Sequence, residues 1–237
     1  MTLLQIVNAA QAMVNLPVTS TIYSNTADAE RQLLALLNME GRLLSTAHPW
    51  QRLIVEKSFL TTATNQQTDA DAAIPSDLDR IIDETLWNRT LRQPVTGPIS
   101  PIQWQSQKGL GITAVYSSYR MYENSFYFTP APAAGQSIYY EYVSKNWCQS
   151  SGGTGQSQWA ADTDVGILPD NIMILGLVWR WLEAKGFDFS SRKDEYDRER
   201  AKAIAHDGTR RKSRIEGPVR LDIYGPYVAE GSWAITV

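Results

Sequence analysis

The residues best suited to chemistry are few and lie far apart in the sequence. There is one cysteine, Cys148, and there are two histidines, His48 and His206. A structural zinc site takes four ligands that are usually Cys or His, so these residues do not predict one. Both histidines fall at the ends of predicted helices, where a capping or surface role is typical. The sequence therefore predicts no metal and no cofactor.

Two short motifs resemble ligand-binding loops, but the sequence around each of them argues against that role. Residues 109–114 have the glycine spacing of a dinucleotide fingerprint, yet they follow a glutamine-rich segment and precede a tyrosine-rich strand. The true motif must follow a strand and open a helix. Asp162 and Asp164 begin like a calcium loop, but Ile167 and Met173 occupy the positions where an EF-hand needs Gly and Glu. Only a weak single-cation site at the two aspartates stays open.

Two pairs of aspartates, Asp69 with Asp71 and Asp77 with Asp79, come closest to an acid–base pair. Both pairs lie in polar, turn-like sequence, where Asp is common because its side chain bonds to nearby backbone. The chain has no serine-nucleophile, zinc-protease or phosphate-binding motif. We therefore expect a protein that is not an enzyme.

Charge is distributed unevenly along the chain. The segment from Arg192 to Arg220 has ten basic and six acidic residues, a net charge of +4 against −7 for the rest. Arg210, Arg211 and Arg214 belong to a cluster that could contact nucleic-acid phosphates. A basic segment that docks on an acidic protein surface or remains solvated is the favoured alternative.

Apolar periodicity predicts three helices and a charged stretch predicts a fourth; together they must position any functional surface. Thr2 is a plausible N-cap for the first helix, and Thr26 is a plausible N-cap for the second, which has a leucine-rich face. Gly186 is predicted to be the C′ residue that follows the third helix. The predicted ranges are 2–16, 27–47, 170–185 and 190–206.

The middle of the chain has the composition of β-strands. Residues 53–60 and the residues around Ile81 and Trp87 predict strands, and 100–108 predict one helical turn. Residues 112–144 are rich in tyrosine and phenylalanine, with Glu123-Asn124 as a hairpin turn. Aromatic residues on both faces predict a sheet that is covered on both sides, and they leave open a sugar-stacking surface as an alternative function.

These elements predict an α+β fold with a helical body, an inserted antiparallel β domain and an extended C-terminal arm. The body takes residues 1–50 and 165–206, the β domain 51–148, a flexible Gly/Ser-rich loop 149–164, and the arm 207–237. The arm is too apolar for a free tail and too rich in Gly and Pro for a compact element, so we expect it to lie on a partner surface. Residues 1–17 lack the pattern of a signal peptide, and no stretch is long and apolar enough to span a membrane.

The order of several motifs resembles the head-to-tail adaptor proteins of tailed bacteriophages, especially the short-tailed phages. The resemblance covers roughly residues 1–205, as a series of weak motifs in a fixed order. The motifs are Glu30-Arg-Gln-Leu-Leu34, Trp50, Phe59-Leu-Thr-Thr62, Ile74-Pro75-Ser-Asp77-Leu78-Asp-Arg80-Ile81, Leu86-Trp87-Asn88-Arg89, Val95-Thr-Gly97-Pro98, Tyr140-Glu141-Tyr142-Val-Ser144, Pro169-Asp170 and Ile174-Leu-Gly-Leu-Val-Trp179-Arg180-Trp181-Leu182.

The resemblance implies a structural protein of the virion neck, made in the host cytoplasm. Such proteins form a ring, commonly of twelve copies, that binds the portal, offers a platform to the tail nozzle or tail tube, and continues the DNA channel. In the family, C-terminal segments often embrace the portal. The corresponding portal-docking residues here would be Arg210, Arg211, Arg214, Val219, Leu221, Ile223, Tyr224, Tyr227 and Trp233.

Overall fold

The computed structural model describes residues 1–68, 70, 72–110 and 117–208, and within them it has five α-helices, a short 3-10 helix (Gln51–Leu53) and eleven strands. The helices are α1 (Leu3–Met13), α2 (Asp28–Ala47), α3 (Pro101–Leu110), α4 (Asp170–Ala184) and α5 (Ser190–His206). The strands are β1 (Ile54–Leu60), β2 (Gln66–Gln67), β3 (Leu78–Ile81), β4 (Trp87–Asn88), β5 (Gln93–Pro94), β6 (Ser118–Tyr122), β7 (Ser125–Thr129), β8 (Ser137–Ser144), β9 (Cys148–Gln149), β10 (Gly155–Gln156) and β11 (Val165–Gly166). The predicted α+β class is confirmed.

The ends of the helices follow from local hydrogen bonding. Thr2 forms the expected cap of α1 as a full capping box with Gln5. The expected cap of α2 was wrong: its N-cap is Ala27, which makes no side-chain cap bond. Asn25 Oδ1 accepts the Ala27 N–H instead, at 3.0 Å. The end of α4 agrees with the sequence, because Gly186 has φ 75°.

The largest sheet is antiparallel and is centred on β8. Strand β1 pairs with β8 from Ile54–Val143 to Leu60–Ser137 without a register shift. On its other side β8 pairs with β3 and β4, and β4 pairs with β5. A second sheet has the order β2-β7-β6. Its hairpin turns at Glu123 and Asn124, both with positive φ, as the sequence predicted.

The Gly/Ser-rich segment is more regular than its composition suggests. Strands β9, β10 and β11 form a small antiparallel sheet that encloses residues 149–164. Within it, Ser150 N donates to Thr154 O at 2.8 Å, and Gly153 makes the turn with φ 85°. The description of 149–164 as a loop alone is therefore incomplete, because short backbone pairings need no apolar side-chain pattern.

Two clusters of buried side chains lie on either side of β8. The first joins α1, α2, α4 and α5 with Trp147, Cys148 and Trp159. The second lies between the two larger sheets and includes Phe59, Phe126 and Tyr140. The expectation that the aromatic sheet is covered on both faces holds only in part for β8. On one face Ile138, Tyr140 and Tyr142 enter the second core; on the other face Val143 enters the first core, while Tyr139 is half-buried and Glu141 is exposed.

Candidate interaction site

A buried carboxylate joins three helices of the first core. Glu40, on α2, has no exposed surface. Its Oε2 accepts a hydrogen bond of 2.7 Å from Arg180 Nε on α4, and its Oε1 accepts one of 2.7 Å from Tyr196 on α5. Burial raises the pKa of the Tyr196 phenol, and the nearby Glu40 charge raises it further. The hydroxyl therefore remains a donor to the carboxylate.

The sequence places Glu40 there by helical spacing, although our sequence analysis missed it. Leu33, Leu37, Glu40 and Leu44 recur at intervals of three and four and are all buried, so the carboxylate lies on the apolar stripe of α2. A charge on such a stripe needs a partner, and the arginine in the otherwise apolar α4 was the available signal. Gly176 leaves the space, because a Cβ built there would lie 2.5 Å from the carboxylate.

Beside this joint, α2, α4 and α5 form an open cleft of about 370 Å³. Its wall combines apolar Leu43 and Trp179 with basic Lys193 and Arg200. Leu43 is 48% exposed although it lies on the leucine-rich helix. Tryptophan and arginine are enriched at protein-binding surfaces, whose rims are polar, and the cleft has Trp179, Arg200 and a charged rim that also includes Asp197. We call this feature the α2–α5 cleft.

The described chain ends at a fixed point beside the helix–strand junction. Asp207 Oδ2 lies 3.0 Å from His48 Nε2 and accepts a hydrogen bond of 3.0 Å from Gln51 N. Asp207 follows α5 directly, so these contacts hold the start of the predicted arm against the segment that leads into β1. The nine predicted portal-docking residues lie outside the described residues: Arg210, Arg211, Arg214, Val219, Leu221, Ile223, Tyr224, Tyr227 and Trp233.

The contacts of Cys148 and His48 indicate structural roles for the thiol and for that imidazole. Cys148 is fully buried and donates to Gln156 O at 3.3 Å. Burial, with a smaller contribution from Asp164, raises its pKa to about 12, which disfavours the reactive thiolate. His48 holds Asp207 as described above, and His206 is exposed at the end of α5.

The two aspartates of the calcium-like motif bind backbone donors of the protein itself. Asp164 Oδ2 accepts hydrogen bonds from Ala160 N at 2.7 Å and Ala161 N at 2.8 Å. Asp162 binds Thr21 Oγ1, Ile22 N and Tyr23 N. Burial would raise the pKa of Asp162, but these three hydrogen bonds outweigh it and lower the pKa. Both carboxylates thus hold loops in place.

The remaining carboxylate pairs do not form acid–base sites in the described residues. Asp77 accepts hydrogen bonds from Tyr142 at 3.0 Å and Ser144 at 2.6 Å, while Asp79 pairs with its neighbour Arg80. Burial and the bond to Asp77 raise the pKa of Tyr142 to about 12. Asp69 and Asp71 lie outside the described residues, as do residues 111–114 of the glycine-containing motif.

No trio of His, Cys, Asp or Glu is arranged to hold a metal ion within 1–68, 70, 72–110 and 117–208. In the same ranges no helix has the length and apolar character required to cross a membrane.

Most of the aromatic side chains that suggested a sugar-stacking surface are in the second core. Tyr119, Phe126, Phe128 and Tyr140 are each at most 1% exposed. The half-buried rings of Tyr122 and Tyr127 stack on each other, with ring centroids 3.8 Å apart. Stacked on each other in this way, these rings do not present the flat, open platform that a sugar ring needs.

The described residues form a mixed α+β fold whose buried charges are structural. The chain belongs to the SU10 adaptor protein family, whose model matches residues 1–222. This is a family of structural phage adaptors and not of enzymes. The protein is therefore a phage adaptor and a component of the virion. No curated relative matches the chain.

Proposed function

We propose that this protein is the head-to-tail adaptor of its virion, and that copies of it form a ring between the portal and the tail. The ring would continue the DNA channel and offer a platform to the tail nozzle or tail tube. The observation that carries the proposal is the family match over residues 1–222, which includes both the helices and the first part of the arm.

The helices α1, α2, α4 and α5 are proposed as the body that contacts neighbouring copies. A ring needs two unlike surfaces on each subunit, because head-to-tail rotation closes it. The α2–α5 cleft, with Leu43 and Trp179 beside Lys193 and Arg200, supports the proposal as one such surface. The copy number in this proposal is twelve, as the family resemblance implies.

The arm is proposed to dock on the portal. Its start is fixed by Asp207, which lies 3.0 Å from His48. Charge attraction by Arg210, Arg211 and Arg214 would suit an acidic portal surface, and Val219, Leu221, Ile223, Tyr224, Tyr227 and Trp233 would supply apolar contact area.

Electron microscopy of purified portal mixed with the protein tests this function. We expect extra ring-shaped density on one end of the portal, with a copy number readable from class averages. Portal particles that stay bare at saturating protein concentration would contradict the proposal.

A matched pair of variants tests the role of the arm. Changing Arg210, Arg211 and Arg214 together to Glu should weaken portal binding by at least about tenfold, since each contact adds electrostatic attraction. The control changes to Glu three exposed cations outside the arm: Lys185, just after α4, and Arg198 and Lys202 on α5. Equal portal binding by both triple variants would contradict the proposed docking of the arm on the portal.

A nucleic-acid-binding role has less support from the described part of the basic segment. On α5, Arg192 pairs with Glu195 at 2.9 Å and Lys202 pairs with Glu199 at 2.6 Å. These cations are thus already partnered within their own helix, which favours the solvated or protein-facing alternative for α5.

A further inference from the structure

Strand β1 forms an edge of the largest sheet. Among the described residues, β8 alone pairs with it. In an antiparallel pair, every second residue directs its N–H and C=O away from the partner strand. The outer side of β1 therefore presents backbone donors and acceptors along seven residues. Edges of this kind accept a further strand from another segment.

The side chains of β1 indicate an apolar occupant for this edge. Val55 is 40% exposed and Leu60 is 63% exposed, although Phe59 between them is buried in the second core. Proteins usually protect a free edge with a bulge, proline, short length or charged side chains, and of these β1 has only the charges of Glu56 and Lys57. Strand β1 instead pairs regularly over its full seven residues, so its outer side is a regular template for pairing.

One segment of the chain beyond Gly208 has the sequence of a matching strand. Apolar and polar residues alternate in it, apart from a tyrosine at the end: Val219, Arg220, Leu221, Asp222, Ile223 and Tyr224. Gly217-Pro218 precedes this segment and Gly225-Pro226 follows it. Such pairs bound strands, because proline cannot donate to a ladder. We call residues 219–224 the arm strand.

The last described residues lie near the N-terminal end of β1, which is where a parallel neighbouring strand would begin. Asp207 binds Gln51 N, and Gln51 lies three residues before Ile54, where β1 begins. Residues 209–218 then connect this point to the arm strand. Ten residues can span about 33 Å, whereas β1 is about 23 Å long, so the arm strand can reach the edge.

A parallel arrangement brings apolar residues together at both ends of the edge, with Leu221 beside Lys57 and Asp222 beside Ser58 in the middle. With Val219 beside Val55, the apolar Ile223 comes beside Phe59 and the aromatic Tyr224 comes beside the exposed Leu60. The same register sets Arg220 beside Glu56, whose carboxylate already pairs with Arg89, so Arg220 would add a second cation next to that carboxylate. The two most exposed apolar residues of β1 would both be covered.

We propose that residues 219–224 of the same chain add to the free edge of β1 as a sixth strand, parallel to β1, in the unassembled subunit. The proposal concerns the subunit alone and does not rest on a ring or on portal binding. It identifies the occupant of the β1 edge and gives the arm a position before assembly.

A register-specific disulfide tests the proposal on the full chain. The double variant Val55→Cys with Val219→Cys should oxidise within one chain, since neighbouring strands bring Cα atoms within disulfide range. The control is Val55→Cys with Ala229→Cys, which lies beyond Gly225-Pro226 and should cross-link at least about tenfold less. Equal cross-linking of both variants would overturn the proposal. So would a bond found only between two chains, which would make a second copy the occupant.

Hydrogen exchange of β1 gives a measurement that needs no cross-link. In the full chain we expect protection of consecutive amides from Val55 to Phe59, including those that face away from β8. Leu221→Pro should speed exchange of these outward amides by at least about tenfold, because it breaks the arm strand. Ser213→Pro, in the connector, is the matched control and should leave them unchanged. Identical β1 exchange in all three proteins would contradict the proposal.

Discussion

Glu40 and Arg180 form an ion pair of 2.7 Å in which the carboxylate has no exposed surface. The pair links α2 to α4, and the hydroxyl of Tyr196 adds α5 to the same carboxylate. One side chain thus joins three helices within the first core. A buried charge of this kind is satisfied only when all of its partners are in place.

Replacing Arg180 with Met should destabilise the protein by about 3–5 kcal/mol, because it leaves the Glu40 carboxylate buried without its counter-charge. Chemical denaturation measures the change. Lys202→Met is the matched control, since its pair with Glu199 is on the surface and should contribute no more than about 1 kcal/mol. Equal losses in the two variants would show that Arg180 does not compensate a buried charge.

Gly176→Ala should cost about 1–3 kcal/mol, because the added Cβ would lie 2.5 Å from the Glu40 carboxylate and force the ion pair to move. The matched change is Gly109→Ala near the end of α3, where no atom lies within 4 Å of the new Cβ. There the helix preference of alanine predicts a gain of up to about 1 kcal/mol. Thermal unfolding of both variants distinguishes steric conflict from helix propensity. A stabilised Gly176→Ala variant would argue against the tight contact.

Asp207→Ala should release the start of the arm. It removes the acceptor of the Gln51 N–H, a hydrogen bond expected to contribute about 1 kcal/mol. We expect the Gln51 amide to exchange at least about fivefold faster, while amides in the middle of α4 stay unchanged. Glu183→Ala, an exposed carboxylate on α4, serves as the control. Unchanged exchange at Gln51 would show that the Asp207 contact does not hold this junction.

The protein should lose stability at alkaline pH. Burial and the bond to Asp77 raise the pKa of Tyr142 from 10.0 to about 12, so the folded state keeps this phenol protonated after the unfolded chain has released its proton. The resulting stabilisation is complete below pH 10 and is lost as the pH rises from about 10 to about 12. Denaturation midpoints measured across this interval should fall, and Tyr142→Phe should show a shallower fall. A midpoint that stays level across the interval would contradict the shifted pKa.

The helices could be predicted closely, because their signals are local. The apolar spacing and the Thr2 cap of α1 and the Gly186 turn after α4 lie within the elements that they define. The Glu123-Asn124 hairpin is equally local, since its positive φ angles suit the turn. The fold class followed from these elements and from the aromatic strands.

The interactions between distant segments could not be predicted in the same way. The Asp207 contact with His48 joins residues 159 positions apart, and neither residue belongs to a recognisable motif. Two-residue strands such as β9 and β10 need only backbone partners, so their side chains give no period to detect. Glu40 was the exception, because its place on the apolar stripe of α2 could have revealed a buried charge.

Strand β8 has a mechanical consequence for a subunit that joins larger assemblies. Its Tyr140 lies in one core and its Val143 in the other, and the same strand leads directly to Trp147. The seven-residue pairing with β1 runs along this strand. A force along β8 would therefore load the backbone hydrogen bonds between β1 and β8 together in shear. Because β8 contributes side chains to both cores, a displacement of one core would be transmitted to the other through this strand.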